Sequence, residues 1–171
     1  MRCVVSELVS AETILDFWFG PIDARGQLVE ERMSLWFGGG EEADTRLRER
    51  FGATHDAATR GELDAWADTP RGRLALILLL DQLTRSLYHG SAEAFAQDAR
   101  ALALAMEAIA RGEDEQLAMI ERVFLYLPLE HSEAINHQAL SVAKFRALTL
   151  QAPESAREMY EVFERYAVDH H

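Results

Sequence analysis

Several familiar signals are missing from this chain of 171 residues. It has a single cysteine, Cys3, so no disulfide can form within it, as expected in a reducing compartment. Basic side chains are scarce: 17 Lys and Arg stand against 29 Asp and Glu, a net charge of −12. A field of that sign repels nucleic acid and anionic lipid, so neither is expected as a partner. Long apolar runs are absent too. The longest, Leu74–Leu80, is far too short to span a bilayer. The stretch from Met1 to Glu12 has no apolar core and carries Glu7, so it does not read as a secretory leader. The expected location is the cytoplasm. There is no phosphate-binding loop, dinucleotide fingerprint, nucleophile elbow or His-Glu-x-x-His motif. Nor is there a zinc-type Cys/His set, and no metal or cofactor is expected.

What remains is a hydrophobic, helix-patterned sequence. Hydrophobic residues make up 49 %, and a chain of this length buries roughly two-thirds of its unfolded surface. No linker or low-complexity stretch divides it, so residues 1–171 are expected to form one domain. Ser10 is placed to cap a helix carrying Ile14, Leu15, Phe17 and Trp18, which Gly20-Pro21 ends. A short helix through Met33, Leu35, Trp36 and Phe37 stops at Gly38-Gly39-Gly40. From Glu41 to Arg60 the residues Ala43, Leu47, Phe51, Thr54 and Ala58 share a face. Thr69-Pro70 is a strong start signal for a helix running to about Tyr88. Ser91 opens a helix with the stripe Phe95, Ala99, Leu102, Met106 and Ile109. Asp114 is read as the cap of the next, and Pro128 as its end. Two more helices carry Ile135, Ala139, Val142 and Phe145, then Ala156, Tyr160, Phe163 and Ala167. The aromatics Trp18, Phe19, Trp36, Phe37 and Trp66 are expected in the core.

No segment alternates with period two, so no sheet is expected. The turns at Gly90, Gly112 and Pro128 are short, which forces neighbouring helices to lie antiparallel. The fold class is therefore all-α: antiparallel helical hairpins in a degenerate TPR-like, α-solenoid-like stack or a closed bundle. No regular 34-residue repeat is visible.

Two polar segments stand out. Leu74–Leu80 is apolar all round, and Asp81, Gln82 and Arg85 follow it directly. Asp81 lies one turn after Ile77, and Arg85 one turn after Asp81, so carboxylate and guanidinium can meet within the buried stripe. Such a pair is either a structural ion pair or a pre-formed polar site. The second segment runs from Glu121-Arg122 to Glu130-His131-Ser132-Glu133. Glu130 and Glu133 are read in the first turn after Pro128, where carboxylates suit the positive end of a helix. A salt-bridge network with Arg122 and Arg85 is the second reading. Metal binding by Glu130, Glu133 and His137 is the third, but it lacks the paired Glu-x-x-His helices of carboxylate-bridged bundles. His131 is a candidate acid or base. His170 and His171 are assigned nothing.

Ile14-Leu15-Asp16-Phe17-Trp18-Phe19-Gly20, the Leu-Asp-Gln core of Leu76–Arg85, and Tyr126-Leu127-Pro128-Leu129-Glu130-His131-Ser132-Glu133 resemble a bacterial family without an assigned function, domain of unknown function nine hundred and twenty-four. Further matching pieces are Trp36-Phe37-Gly38, Gly61–Trp66, Ala94-Phe95-Ala96-Gln97-Asp98 and Glu121-Arg122. The resemblance implies an all-α, TPR-like fold and no particular activity. It also implies that Asp81, Gln82, Arg85, Glu121, Arg122, Glu130, His131 and Glu133 belong together. Thr84 stands where the family pattern commonly has proline, and His89 where it commonly has arginine. Family members typically continue with an Arg/Phe/His-rich segment where this sequence ends at His171, so either part of any lining from that segment is lost or the sequence is truncated. Three functions follow as expectations. The first is a binding module for a protein partner with a polar groove built from the two segments. The second is an enzyme or binder of a small anionic ligand using the same Arg/Glu/His cluster. The third is a purely structural network.

Overall fold

The computed structural model describes residues 7–171. Cys3 and the first half of the Met1–Glu12 stretch lie outside the described residues. Every regular element among the described residues is helical; an isolated antiparallel bridge joins Ile22 and Leu28. Helix α1 (Ala11–Phe19) starts where Ser10 Oγ accepts the Thr13 N–H at 3.2 Å. Helix α2 (Met33–Phe37) ends at the three glycines, and α3 (Glu41–Thr59) follows. A 3-10 turn (Asp64–Asp68) leads to Thr69, whose hydroxyl accepts the Gly72 N–H at 3.0 Å, with Pro70 opening α4 (Pro70–Leu78). The backbone then passes without a break through a π-helical segment (Leu79–Leu83) into α5 (Thr84–Leu87). Helices α6 (Asp98–Ala110), α7 (Met119–His131), α8 (Ile135–Gln151) and α9 (Glu154–His170) complete the chain.

Three boundaries differ from the sequence reading. Ser91 opens only a 3-10 turn (Ala92–Phe95), and α6 begins at Asp98. Phe95 therefore leaves the apolar stripe and is exposed, over the Arg85 guanidinium. Asp114 does not cap α7; it lies in a 3-10 turn and accepts the Tyr126 hydroxyl at 2.6 Å. Glu121 reaches back instead to accept the Ala118 N–H at 2.9 Å. Pro128 does not end α7, which continues to His131. Proline removes only the N–H that would reach the Phe124 carbonyl. The side chains of Phe124, Leu125, Leu127 and Leu129 are all buried and hold the helix on either side of that missing bond. Packing has overridden a local rule.

The α4 rod is the hub. None of Leu74–Leu80 exceeds 1 % exposure, because α1, α6 and α7 pack around it while α5 rests on α3. In the second half each helix packs on its neighbour, α6 on α7, α7 on α8 and α8 on α9, the last two pairs across short links at 132–134 and 152–153. Trp18, Phe19, Trp36, Phe124 and Phe163 meet at the centre of the aromatic core; Trp36 and Phe124 have ring centroids 4.6 Å apart. Phe37, expected in the core, is 55 % exposed.

The loop before α2 is locked to α7 through one glycine. The Gly26 carbonyl accepts the Ile120 N–H at 3.0 Å, with Gly26 at φ +76°. A Cβ there would lie 2.8 Å from the Met119 nitrogen. Gly26→Ala is expected to destabilise the fold by about 2 kcal/mol, from left-handed strain plus the displaced contact. Urea unfolding checks this; an unchanged midpoint would show that the loop does not brace α7.

Candidate functional site

The site is built around Asp81, a carboxylate with no solvent exposure inside the π-helical segment. The sequence places it there because the apolar run Leu74–Leu80 carries the rod through the core. Its donors arrive from three directions. Arg85, one turn on, gives Nη1 to Asp81 Oδ1 at 2.9 Å. Gln82 gives Nε2 to Oδ2 at 2.8 Å. His131, at the end of α7, brings Nδ1 to within 2.7 Å of Oδ1. Burial alone pushes the Asp81 carboxyl up, but the His131, Arg85 and Gln82 donors more than offset it and hold it below the ordinary range. An ionised Asp81 can only accept, so His131 Nδ1 carries the proton. Nε2 is thereby left with no partner among the described residues.

Arg85 is also held by Asp98 from α6, in a bidentate pair at 2.7 and 3.0 Å. Its burial works against the charge, yet the Asp98 bonds and the charges of Asp81, Asp98 and Glu130 keep the guanidinium firmly protonated. One cation thus serves two carboxylates. Glu130 adjoins the cluster from the last turn of α7 and is 6 % exposed. Its Oε2 is buried with no hydrogen-bond partner, and Oε1 lies 3.5 Å from His170 Nδ1 on α9. Burial raises the Glu130 carboxyl above its ordinary value; His131, His170 and Arg85 pull it down, and Asp81 pushes it up.

Two clefts flank this cluster and share Arg85 and His131. The first, about 810 Å³, has Gln82, Glu130 and His131 in its lining, with Trp36, Phe37 and Tyr166 on its walls. The second, about 830 Å³, runs past Phe95, Asp98, Pro128 and Glu133. His131 is 19 % exposed and is reachable from either side.

Of the residues singled out from sequence, Asp81, Gln82, Arg85, Glu130 and His131 come together. Glu121 and Arg122 do not. They sit at the other end of α7, roughly 14 Å from Glu130 at 1.5 Å per residue. There Glu121 binds Arg71 at 2.7 Å, and Arg122 donates to the Leu117 and Glu115 carbonyls. Glu133 is exposed in the link between α7 and α8 and borders only the second cleft. Because α7 runs through Pro128, Glu130 lies at a helix end whose partial charge is negative, the reverse of the expected helix-start placement. Glu130, Glu133 and His137 share no helix face, since the chain breaks between α7 and α8; among the described residues no group of three or more His, Cys, Asp or Glu could hold a metal ion. Asp98 and His170 were missed. Asp98 had a signal, because it ends one of the segments that carry the family resemblance. His170 had none.

Fold and site together define an all-α protein whose buried Asp–His–Arg cluster is open to two clefts. The chain belongs to the family described as bacterial protein of unknown function (DUF924), whose model matches residues 14–171. It is similar to the solved structure of a protein of unknown function, ATU0120, from Agrobacterium tumefaciens. The two are 33 % identical with a TM-score of 0.74, over 94 % of this chain and 79 % of that one. No curated protein matches the chain.

Two stability predictions follow from the charges. Asp81→Ala is expected to destabilise by about 3 kcal/mol, at the low end for breaking a buried pair, because Arg85 keeps Asp98. The carboxyl sits below its unfolded value, so its contribution is present at neutral pH and lost as pH falls through the folded value. The gap between wild type and Asp81→Asn should therefore narrow on acidification in urea melts. Glu130 has the opposite sign: its raised value means stability falls as pH climbs above the ordinary glutamate value of 4.5. Glu130→Gln should melt above wild type near about pH 8, with the advantage shrinking toward about pH 4.

Proposed function

We propose that the protein binds a small molecule in the first cleft and moves a proton to or from it through His131. The carrying observation is the state of that imidazole: Nδ1 is clamped by a fully buried carboxylate, while Nε2 is left free at a cleft wall. A base oriented by a second group is the arrangement proton transfer requires. The cleft joins an apolar aromatic wall to a few convergent polar groups, as small-molecule sites do. His131 acts as the base, Asp81 positions it, and Arg85 with Asp98 holds Asp81 in place.

This reading narrows the groove inferred from sequence. A partner-binding groove running from Asp81–Arg85 to Glu121 would need the two ends of α7 to act as one surface, and Arg71 already occupies Glu121. The antiparallel stacking of α6–α9 supports a TPR-like frame, and the lone cysteine supports a reducing, cytoplasmic setting.

The test is a thermal-shift screen of a charge-diverse metabolite library on wild type, His131→Gln and the surface control Arg146→Gln. A ligand at 100 times its Kd adds about 2.7 kcal/mol, roughly 5–10 °C for a chain of this size. The expected result is a compound class whose shift survives in Arg146→Gln and is lost in His131→Gln. Hits all indifferent to His131→Gln would overturn the reading.

A further inference from the structure

We infer that the ligand of the first cleft carries a protonated amine on an apolar body, seated with the ammonium at Glu130 and the body against Phe37 and Tyr166. This rests on the reading of the cleft as a small-molecule site.

The charges facing the cleft carry the inference. A ligand-binding arginine offers its guanidinium to the ligand. Arg85 does not, because Asp81 and Asp98 take its charge. Arg122, the other cation read as an anion holder, is at the far end of α7, on backbone carbonyls. Arg48 is the remaining guanidinium in the lining, and it donates to the Leu87 carbonyl from an exposed position. Against it stand the carboxylates of Glu41, Asp44 and Glu130. The protein as a whole carries −12, so the far field also draws cations inward.

Glu130 is the specific feature. It is a buried carboxyl bordering the cleft, with one oxygen unpartnered and the other 3.5 Å from its nearest basic atom. Leaving a buried acceptor unpaired is costly, and only a donor relieves it. The aromatic rim supplies the rest. Phe37 and Tyr166, 55 % and 44 % exposed, are tilted by 53° with centroids 6.4 Å apart, and Phe163 lies 5.9 Å from Phe37. Ring faces at the mouth of an acidic cleft attract a cation and cover its hydrocarbon.

The charge on Glu130 gives a second handle. His131 of α7, Asp81 and Arg85 of the central rod, and His170 of α9 all act on it. An ammonium prefers the ionised carboxylate, which burial disfavours, so amine binding strengthens as rising pH ionises Glu130.

The experiment is NMR titration of the full chain with three probes of one shape: 2-phenylethylamine, 3-phenylpropanoate and 2-phenylethanol. The amine is expected to bind at least about tenfold tighter than the carboxylate, a difference of about 1.4 kcal/mol, with shifts at His131 and Tyr166. Its affinity should rise as pH climbs above the ordinary glutamate value of 4.5. Glu130→Gln, with folding verified by its spectrum, should weaken the amine about tenfold, flatten that rise, and leave 2-phenylethanol unchanged. The exposed pair Phe37→Ala/Tyr166→Ala should weaken amine and alcohol together. The proposal is overturned if the carboxylate binds as tightly as the amine, if Glu130→Gln leaves amine affinity intact, or if no probe binds. These outcomes are separate from failure of the cleft as a site: anionic hits lost in His131→Gln would keep the proton-transfer reading and sink the amine.

Discussion

A fully buried carboxylate at the centre of the most apolar helix is the constraint on which the rest of the site depends. An ionised group in such surroundings must be paired, hydrogen-bonded or neutralised by protonation. Asp81 is met by donors from Arg85, Gln82 and His131, so both oxygens are used. Each donor then needs its own support. Arg85 is steadied by Asp98 of α6, and His131 is delivered by an α7 that has to pass through Pro128 to reach it. The central rod, α6 and α7 are thereby fixed to one another at a single point. The same contacts that keep the charge buried set the imidazole's tautomer, so structural and chemical roles are not alternatives at Asp81.

The π-helical segment explains how the charge can sit there at all. One extra residue in a helical turn rotates everything downstream by about 100° relative to a regular helix. Leu74–Leu80 are buried on all sides, Asp81 within the widened turn still faces inward, and Arg85 after it, at 23 % exposure, reaches the cleft. Thr84 closes the wide turn. Its hydroxyl donates to the Leu79 carbonyl at 3.0 Å and lies 2.7 Å from Nε2 of the buried His55. Burial holds the His55 imidazole below its ordinary value, against a smaller upward pull from Asp56. A neutral His55 can donate from Nε2 to Thr84, so Thr84 has a bonding role here that a proline would lack.

What was legible in the sequence was local. Ser10, Thr69-Pro70 and the triple glycine act within one turn and set element ends as expected. The Asp81–Arg85 spacing gave its ion pair for the same reason. Non-local facts were out of reach. Asp98 is 13 residues from Arg85 and joins it only because α6 packs on the rod. Glu121 and Glu130 belong to one motif-bearing stretch, yet a regular helix separates its ends. Proline was the instructive failure: its rule describes an isolated helix, and α7 is held on both sides by buried side chains. That single misreading moved Glu130 from a helix start, where its charge is welcome, to a helix end, where it is not.

Glu130 consequently combines three unfavourable features: burial, an unpaired oxygen and a position at the negative end of a helix dipole. Any one alone is common in a protein this size; together they press the carboxyl toward its protonated form. Asp81 is more deeply buried yet held toward its ionised form, because both of its oxygens have donors. Two neighbouring carboxyls pushed in opposite directions by their surroundings is the pattern from which acid and base assignments are read. The main difference between them is the supply of donors. A ligand that brought a donor to Glu130 would narrow it, favouring the ionised carboxylate there as at Asp81. Binding at Glu130 therefore changes the charge beside His131, the adjacent residue of the same helix turn.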